Sequence, residues 1–442
     1  MNVHLISLGC DKNLVESEYM LGNLRDAGHD IVNDAEDAEV IIVNTCGFIE
    51  EATRESIQTI IEVSRHKKAR CRRLIVTGCM AERYGEDIAK NLPEVDLVTG
   101  FGLKNIVALV NGASSVEEQR DDNSEKPHTG RRVLSTHGGF AYLKISDGCD
   151  NHCAYCTIPS IKGRYRSAPP ELLLNEAREL AAEGVRELIL VAQDTTRYGQ
   201  DLAEPSRDYD LAQLMNCLSK IEGIEWIRLL YAYPENITQR LIDEMANNPK
   251  ILQYIDMPIQ HASDAILRKM GRKSNQAGLR SVICRLRAAM PDIAIRTTLI
   301  VGFPTETNMD FNILKTFVSD ARFDRLGVFA YSREDGTAAA NMPNQVRARV
   351  KKLRRDEILK LQQRISLEKN KALIGQTLDV IIEGRLPDEP NVYCGRSYRD
   401  SHDIDGLVFF DSDEELISGE FVKIMISKAE AYDLYGERVL RF

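Results

Sequence analysis

Phe140-Ala141-Tyr142-Leu143-Lys144-Ile145-Ser146-Asp147-Gly148-Cys149-Asp150-Asn151-His152-Cys153-Ala154-Tyr155-Cys156 is an apolar run that breaks into a loop carrying three cysteines. Ala141 to Ile145 reads as a strand. The C-x3-C-x2-C spacing after it offers three thiolates and no fourth. Closed structural zinc sites take four protein ligands, and iron–sulfur clusters are ordinarily held by four thiolates. A three-thiolate loop therefore leaves one metal corner free for something that reacts there. Two plainer readings stand beside this one: three unrelated buried thiols, or a zinc knuckle completed by His152.

Downstream, apolar runs recur at Glu187 to Val191, Trp226 to Tyr231, Tyr254 to Pro258, Ile293 to Val301 and Leu326 to Ala330. Helical patterns at Glu171 to Ala182, Leu211 to Ile221, Leu241 to Ala246 and Phe311 to Ala321 separate them. Six strand–helix units predict a partial (βα)6 barrel, with function at the mouth formed by the carboxyl ends of the strands. The cysteine loop follows the first strand, which puts it at that mouth.

Upstream, three short apolar runs each end at a cysteine. Val3 to Leu8 leads to Gly9-Cys10, Val40 to Val43 to Asn44-Thr45-Cys46, and Leu74 to Thr77 to Gly78-Cys79. Helix-like stretches follow at Leu14 to Arg25, Phe48 to Arg65 and Met80 to Leu92, so the pattern predicts a parallel sheet. In such sheets ligands gather outside the carboxyl ends of the strands. A small residue filling a tight turn explains one such cysteine; three at equivalent positions point to a second three-thiolate site.

The loop, with Tyr155 directly before the last cysteine, resembles the radical S-adenosylmethionine (SAM) superfamily. That resemblance implies a 4Fe–4S cluster on Cys149, Cys153 and Cys156 whose free iron binds the amino and carboxylate groups of SAM. Ser7-Leu8-Gly9-Cys10-Asp11-Lys12-Asn13-Leu14-Val15-Glu16-Ser17-Glu18, Val43-Asn44-Thr45-Cys46-Gly47-Phe48-Ile49, Gly78-Cys79 and the loop together resemble the methylthiotransferases essentially end to end. The sequence around Cys10 is similar to the branch that modifies ribosomal protein S twelve, rather than to the tRNA-modifying relatives. The resemblance implies a second 4Fe–4S cluster on Cys10, Cys46 and Cys79 that holds the sulfur to be methylated. It implies SAM in two roles, methyl donor and radical source, and the β-carbon of an aspartate as target. An electron donor such as flavodoxin or ferredoxin goes with that chemistry.

Candidate SAM contacts lie at other strand ends. Ile300-Val301-Gly302-Phe303-Pro304-Thr305-Glu306 ends a strand with Gly and Pro, so backbone there can approach a nucleoside closely. The family usually has Gly where this chain has Thr305. Gln193-Asp194 and Gln260-His261 follow two further strands, where polar groups either hold SAM or cap a loop. Arg296 lies within an apolar strand and has to meet a carboxylate, either that of SAM or one of this chain; Lys144 and Arg164 raise the same question. Gln193, Gln260, Arg296, Gly302 and Tyr155 are thus the expected SAM residues. Cys71, Cys217, Cys284 and Cys394 read as structural, and His29, His66 and His152 receive no metal role.

Beyond the barrel, Val346 to Lys371 carries Leu and Ile at helical spacing among Arg and Lys, predicting a connecting helix with a solvated basic face or, more sharply, an RNA or phosphate contact. After Gly375 five alternating runs, Leu378 to Ile382, Val392 to Arg396, Leu407 to Asp411, Phe421 to Ser427 and Leu434 to Leu440, predict a small antiparallel barrel, which the resemblance identifies as a TRAM domain. The chain is thus a multidomain α/β protein. Its expected parts are an amino-terminal cluster domain over 1–110, a linker over 111–136, a radical SAM barrel over 137–345, a connecting helix over 346–374 and a TRAM domain over 375–442.

At 442 residues the chain is long enough for about three domains on the usual prior. Ten cysteines and a start, Met1-Asn2-Val3-His4, with no basic and apolar leader point to a reducing compartment. No apolar run reaches the roughly 18 residues of a membrane span, so a cytoplasmic protein with no membrane partner is expected. The formal charge of −10 is not the footprint of a general nucleic-acid binder. Residues 375–442 hold seven Lys and Arg against fifteen Asp and Glu, a formal −8. That sign suits a basic ribosomal protein or the small ribosomal subunit, and makes tRNA an unfavoured partner. The rival readings are a tRNA adenosine methylthiotransferase and, more remotely, a non-catalytic iron–sulfur sensor or scaffold.

Overall fold

A strand buried on both faces has to be apolar at every position, and Val40-Ile41-Ile42-Val43 meets that demand. In the computed structural model, which describes residues 1–101, 105–113, 131–136, 139–203 and 209–439, this run belongs to the central strand of a parallel sheet. The middle of the expected linker, 114–130, and the end of the last expected strand at Leu440 lie outside the described residues. The described residues fall into two compact units. One is Met1–Ser135 with Thr157–Arg164; the other is Thr136–Cys156 with Tyr165–Phe442.

In the first unit the strands are β1 (Asn2–Ser7), β2 (Asp30–Ile31), β3 (Val40–Thr45), β4 (Arg73–Gly78) and β5 (Leu97–Val98), paired in the order β2-β1-β3-β4-β5. All pairs are parallel. The helices are α1 (Asp11–Asp26), α2 (Glu50–Ser64), α3 (Cys79–Asn91), α4 (Ile106–Val110) and α5 (Ile158–Lys162). Alternate residues of β3 serve opposite faces. Val40 and Ile42 join Met20 and Leu24 of α1 and Leu109 of α4. Ile41 and Val43 join Ile60 of α2 and Met80 and Ile88 of α3. The edge strands β2 and β5, two residues each, extend the three expected strands to five; they are too short to show a period.

The second unit holds a six-stranded parallel sheet in the order β13-β12-β11-β10-β9-β6. Its strands are β6 (Phe140–Lys144), β9 (Glu187–Val191), β10 (Trp226–Leu229), β11 (Ile251–Asp256), β12 (Ala294–Val301) and β13 (Arg325–Ala330). A two-residue hairpin, β7 (Ser146–Asp147) with β8 (Arg166–Ser167), frames the cysteine loop. Helices α6 (Pro170–Ala182), α7 (Leu211–Leu218), α8 (Gln239–Asn247), α9 (Asp264–Lys269), α10 (Gln276–Ala289) and α11 (Asn308–Ala321) connect the strands, α9 and α10 both lying between β11 and β12. No described helix is long and apolar enough to cross a membrane.

A 24-residue helix, α12 (Ala348–Lys371), leads to a closed five-stranded barrel of β14 (Thr377–Leu386), β15 (Glu389–Ser397), β16 (Val408–Asp411), β17 (Phe421–Ala429) and β18 (Leu434–Arg438). The expectation of a wholly antiparallel barrel is corrected at one seam, because β16 and β18 run parallel. Parity requires it: five strands cannot alternate direction all the way round a closed ring.

This small barrel meets the sheet through buried ion pairs, most of them near the amino-terminal ends of the parallel strands. Glu187 takes Arg228 at 2.6 Å and Arg396 at 2.7 Å, with all three side chains fully buried. Arg325 meets Asp400 at 2.5 Å and Arg399 meets Asp324 at 2.5 Å. Arg296 joins Asp256 at 2.8 Å and Asp405 at 3.4 Å. Buried pairs of this kind tend to fix geometry rather than add stability. Of the two partners the sequence left open for Arg296, the structure shows carboxylates of this chain, Asp256 and Asp405.

Candidate cluster and cofactor sites

The amino-terminal triad stands at the carboxyl edge of its sheet. Cys10 is the N-cap of α1, Cys46 follows β3, and Cys79 is the first residue of α3. With strand order 2-1-3-4-5, the chain turns opposite ways after β1 and β3, and such a switch point opens a crevice between them; Cys10 and Cys46 flank it. Gly9, at φ +91°, lies so close that a Cβ on it would stand 2.6 Å from Cys46 Cβ and 2.9 Å from its Sγ, so only glycine fits. Gly47 approaches the backbone of Met80 equally closely.

The strand ends are laced by side chains from the helix that follows Cys10, from β3 and from α2. Asn13 Nδ2 donates to Leu8 O at 2.7 Å and reaches Asn44 O and Thr45 O at 3.4 Å. Asn44 Nδ2 donates to Asn13 O and to Ser17 Oγ, which donates to Ser7 Oγ. Thr45 Oγ1 donates to Thr77 O at 2.6 Å, and Ser56 Oγ brackets the backbone of Cys46. The motif around Cys10 is in large part this lacing.

Burial pushes the Cys46 thiol up, and pushes Cys79 up to about 12 against the pull of Lys162; the neighbouring thiols add to both shifts. Lys162 lies 2.6 Å from Glu16 and 3.7 Å from the Phe101 ring centre, within the same unit. A metal bound here would have to displace the thiol protons. Among the described residues no group of three or more His, Cys, Asp or Glu is arranged around a single ion. A cluster asks for something else, since each thiolate binds a different iron.

At the mouth of the six-stranded sheet, Cys149 and Cys153 are buried and Cys156 is half-buried. The loop is held from several sides. Asp150 accepts from Tyr165 N at 3.0 Å, Asn151 Nδ2 donates to buried Asp194 at 3.0 Å, and Ala154 N donates to Met270 O at 2.8 Å. Asn151 N points at Cys149 Sγ, 3.4 Å away. Tyr155 packs beside a core of Ile266, Met270, Phe303 and Tyr331.

Gln193 donates to Asp147 at 3.2 Å, and its buried Oε1 has no partner among the described residues, as is true of Oε1 of Gln260. Two orphaned amide oxygens at the mouth are what a cofactor's hydrogen-bond donors would satisfy. The peptide N–H groups of Gly302 and Phe303 both donate to Glu306, at 2.5 and 3.1 Å, and Arg354 pairs with it at 2.9 Å. Burial nevertheless raises the Glu306 carboxyl to about 7. His261, fully buried, accepts from Ser263 N at Nδ1 and is pushed down to about 3, so it is neutral.

Tyr231 (φ 57°), Gln260 (φ 67°) and Thr305 (φ 71°) all hold left-handed backbone at this mouth, a strain that non-glycine residues keep mainly at functional sites. Lys144 finds Asp147 at 3.1 Å. Sequence reading missed the Met270-Gly271-Arg272 turn, whose basic setting looks like ordinary solvated surface, and gave Glu306 no role.

Family models match three parts of the chain: the uncharacterised protein family UPF0004 over residues 2–100, the radical SAM superfamily over 143–318 and the TRAM domain over 374–439. The ribosomal protein uS12 methylthiotransferase RimO of Acetivibrio thermocellus is 49% identical over 446 residues, 98% of each chain. Its counterpart in Geobacter sulfurreducens is 48% identical over 442 residues, again 98% of each. Among solved structures, the radical SAM methyltransferase TsrM of Kitasatospora setae shares the fold with a TM-score of 0.56 at 12% identity, covering 89% of this chain and 80% of that one.

Proposed function

Since the chain belongs to the ribosomal protein uS12 methylthiotransferase RimO family, within the radical SAM superfamily, we propose that it adds a methylthio group to the β-carbon of an aspartate in that ribosomal protein. It is a transferase that uses SAM and 4Fe–4S clusters. Cys149, Cys153 and Cys156 would hold one cluster, and Cys10, Cys46 and Cys79 the other. When bound, the clusters supply an electron to the SAM sulfonium at the mouth and a place for the transferable sulfur at the amino-terminal edge.

The protein's own part is binding and orientation. The orphaned oxygens of Gln193 and Gln260 would accept from donors of SAM, whereas the space a Cβ on Gly302 would need is taken by the Lys351 side chain. Tyr155 packs beside the loop against Ile266, Met270, Phe303 and Tyr331. Glu306 holds the turn after β12 through two peptide N–H groups and Arg354. Neutral His261 keeps Ser263 in place.

The acidic terminal domain supports a protein substrate over tRNA. Its exposed run at Asp411, Asp413, Glu414 and Glu415 would attract a basic ribosomal protein and repel phosphates. Because that domain caps the sheet at the end away from the mouth, it steers the partner as a whole and leaves the modified residue to the mouth. The domain limits at 110, 136, 345 and 374, a cytoplasmic location and a flavodoxin or ferredoxin as electron donor complete the reading.

The observation that carries the reading is a pair of three-thiol sites, each at the carboxyl edge of a parallel sheet. Reconstituted enzyme with SAM, reductant and purified uS12 should yield a methylthio-modified aspartate by mass spectrometry. Modified adenosine from tRNA, with uS12 untouched, would promote the tRNA reading instead.

A further inference from the structure

Beside the cysteine loop of the second unit lies a buried arginine that the chemistry above does not use. Arg272 follows α9, its N–H donating to Leu267 O at 2.9 Å. Its Nη2 donates to Pro258 O at 3.1 Å, and its guanidinium carbon stands 4.2 Å from the centre of the Tyr233 ring. The nearest carboxylate is Glu235 at 3.7 Å, already taking a 2.6 Å bond from Ser274. Nε has no acceptor among the described residues. Elsewhere in this unit buried arginines are paired more closely, Arg296 with Asp256 at 2.8 Å and Arg354 with Glu306 at 2.9 Å.

The turn that carries Arg272 also clamps the loop. Met270 O receives the Ala154 N–H at 2.8 Å. Gly271, at φ +72°, lies so near that a Cβ would stand 2.6 Å from the His152 carbonyl oxygen. The Arg272 charge acts on Tyr155, Tyr233, Glu235 and the Cys153 thiol. A buried cation with slack pairing is costly unless negative charge forms beside it. Thiolate ligation of a cluster brings that charge, and the net charge around a cluster is among the factors that set its reduction potential.

We propose that Arg272 is a positioning residue of the barrel-mouth site, whose guanidinium offsets the charge of a cluster held by Cys149, Cys153 and Cys156 and raises its reduction potential. The inference rests on that loop being the ligand set. A buried positive charge favours the reduced, more negative state, so removing it makes the cluster harder to reduce.

The test uses the full chain with Cys10, Cys46 and Cys79 changed to Ala, leaving one cluster to observe. Its midpoint potential is read by redox titration followed by electron paramagnetic resonance, with Arg272→Lys and Arg272→Gln on the same background. The expected order is parent highest, Lys slightly lower and Gln lowest. The Gln variant should lose at least tenfold in reducibility, about 59 mV for a one-electron couple. A Gln variant with the parent's potential overturns the proposal. So do Lys and Gln variants lowered equally, or both failing to retain iron while circular dichroism shows them folded, since shape rather than charge would then be at work. If the Gln variant alone loses iron, a Lys variant that holds its cluster near the parent's potential supports the charge argument, and one shifted by tenfold or more sinks it. A parent that binds no iron points to the ligand assignment, a distinct failure.

Discussion

Cys149, Cys153 and Cys156 come from eight consecutive residues of one loop, whereas Cys10, Cys46 and Cys79 are spread over seventy residues and three strand ends. The scattered set exists only because β1, β3 and β4 are in register and laced by Asn13, Asn44 and Thr45. The contiguous set needs no register, but its loop has to be clamped from outside, by Asp194, Tyr165 and the turn at Met270. The contrast teaches where each site is vulnerable: one fails with its sheet edge, the other with its clamps.

The largest expected effect is the direct one. Replacing Cys149, Cys153 and Cys156 together by Ala should abolish reductive cleavage of SAM and halve iron from about eight to about four per chain, the arithmetic of two four-iron clusters. Full iron content in that variant would sink the loop assignment.

Next come the supports. Asn13→Ala deprives the carbonyls of Leu8, Asn44 and Thr45 of a donor, and unsatisfied buried groups cost about 1–3 kcal/mol. Denaturant unfolding should show that loss, with iron falling at the scattered site while SAM cleavage persists. Gly271→Ala should do the reverse, lowering SAM cleavage and leaving the scattered site loaded. If either substitution empties both sites alike, the supports are not separate.

The smallest effect concerns Thr305, at φ +71° where glycine would be at ease. Left-handed backbone costs a non-glycine residue about 1–2 kcal/mol, and glycine's own chain entropy takes part of that back. Thr305→Gly should therefore raise stability by up to about 1 kcal/mol, read as a shift in the thermal midpoint. A loss would mean that the 2.7 Å bond from Lys269 to Thr305 Oγ1 outweighs the strain.

The parts of this comparison differ in how they appear in the sequence. The six parallel strands and α12 were legible, because strands buried on both faces read as unbroken apolar runs and a long helix spaces its apolar residues by turns; the cysteines showed as the residues that follow such runs. Arg296 was legible as a buried charge needing a carboxylate, but its partner Asp405 lies more than a hundred residues away and no local pattern points to it. The parallel seam between β16 and β18 follows from closure of the ring, a property no single strand carries. Gly271 and Arg272 stayed hidden for the same reason: their importance comes from approach to His152 and Tyr233 across the fold, while locally they extend a basic turn.

The central claim is that the two triads do different work, and one variant tests it most directly. In the full chain with Cys10, Cys46 and Cys79 changed to Ala, reduced in the presence of SAM and uS12, 5′-deoxyadenosine and methylthio product are measured side by side. The account predicts that 5′-deoxyadenosine persists and methylthio-aspartate vanishes. Loss of both in a folded variant that still holds about four irons would contradict it, and would mean that the two sites act as one.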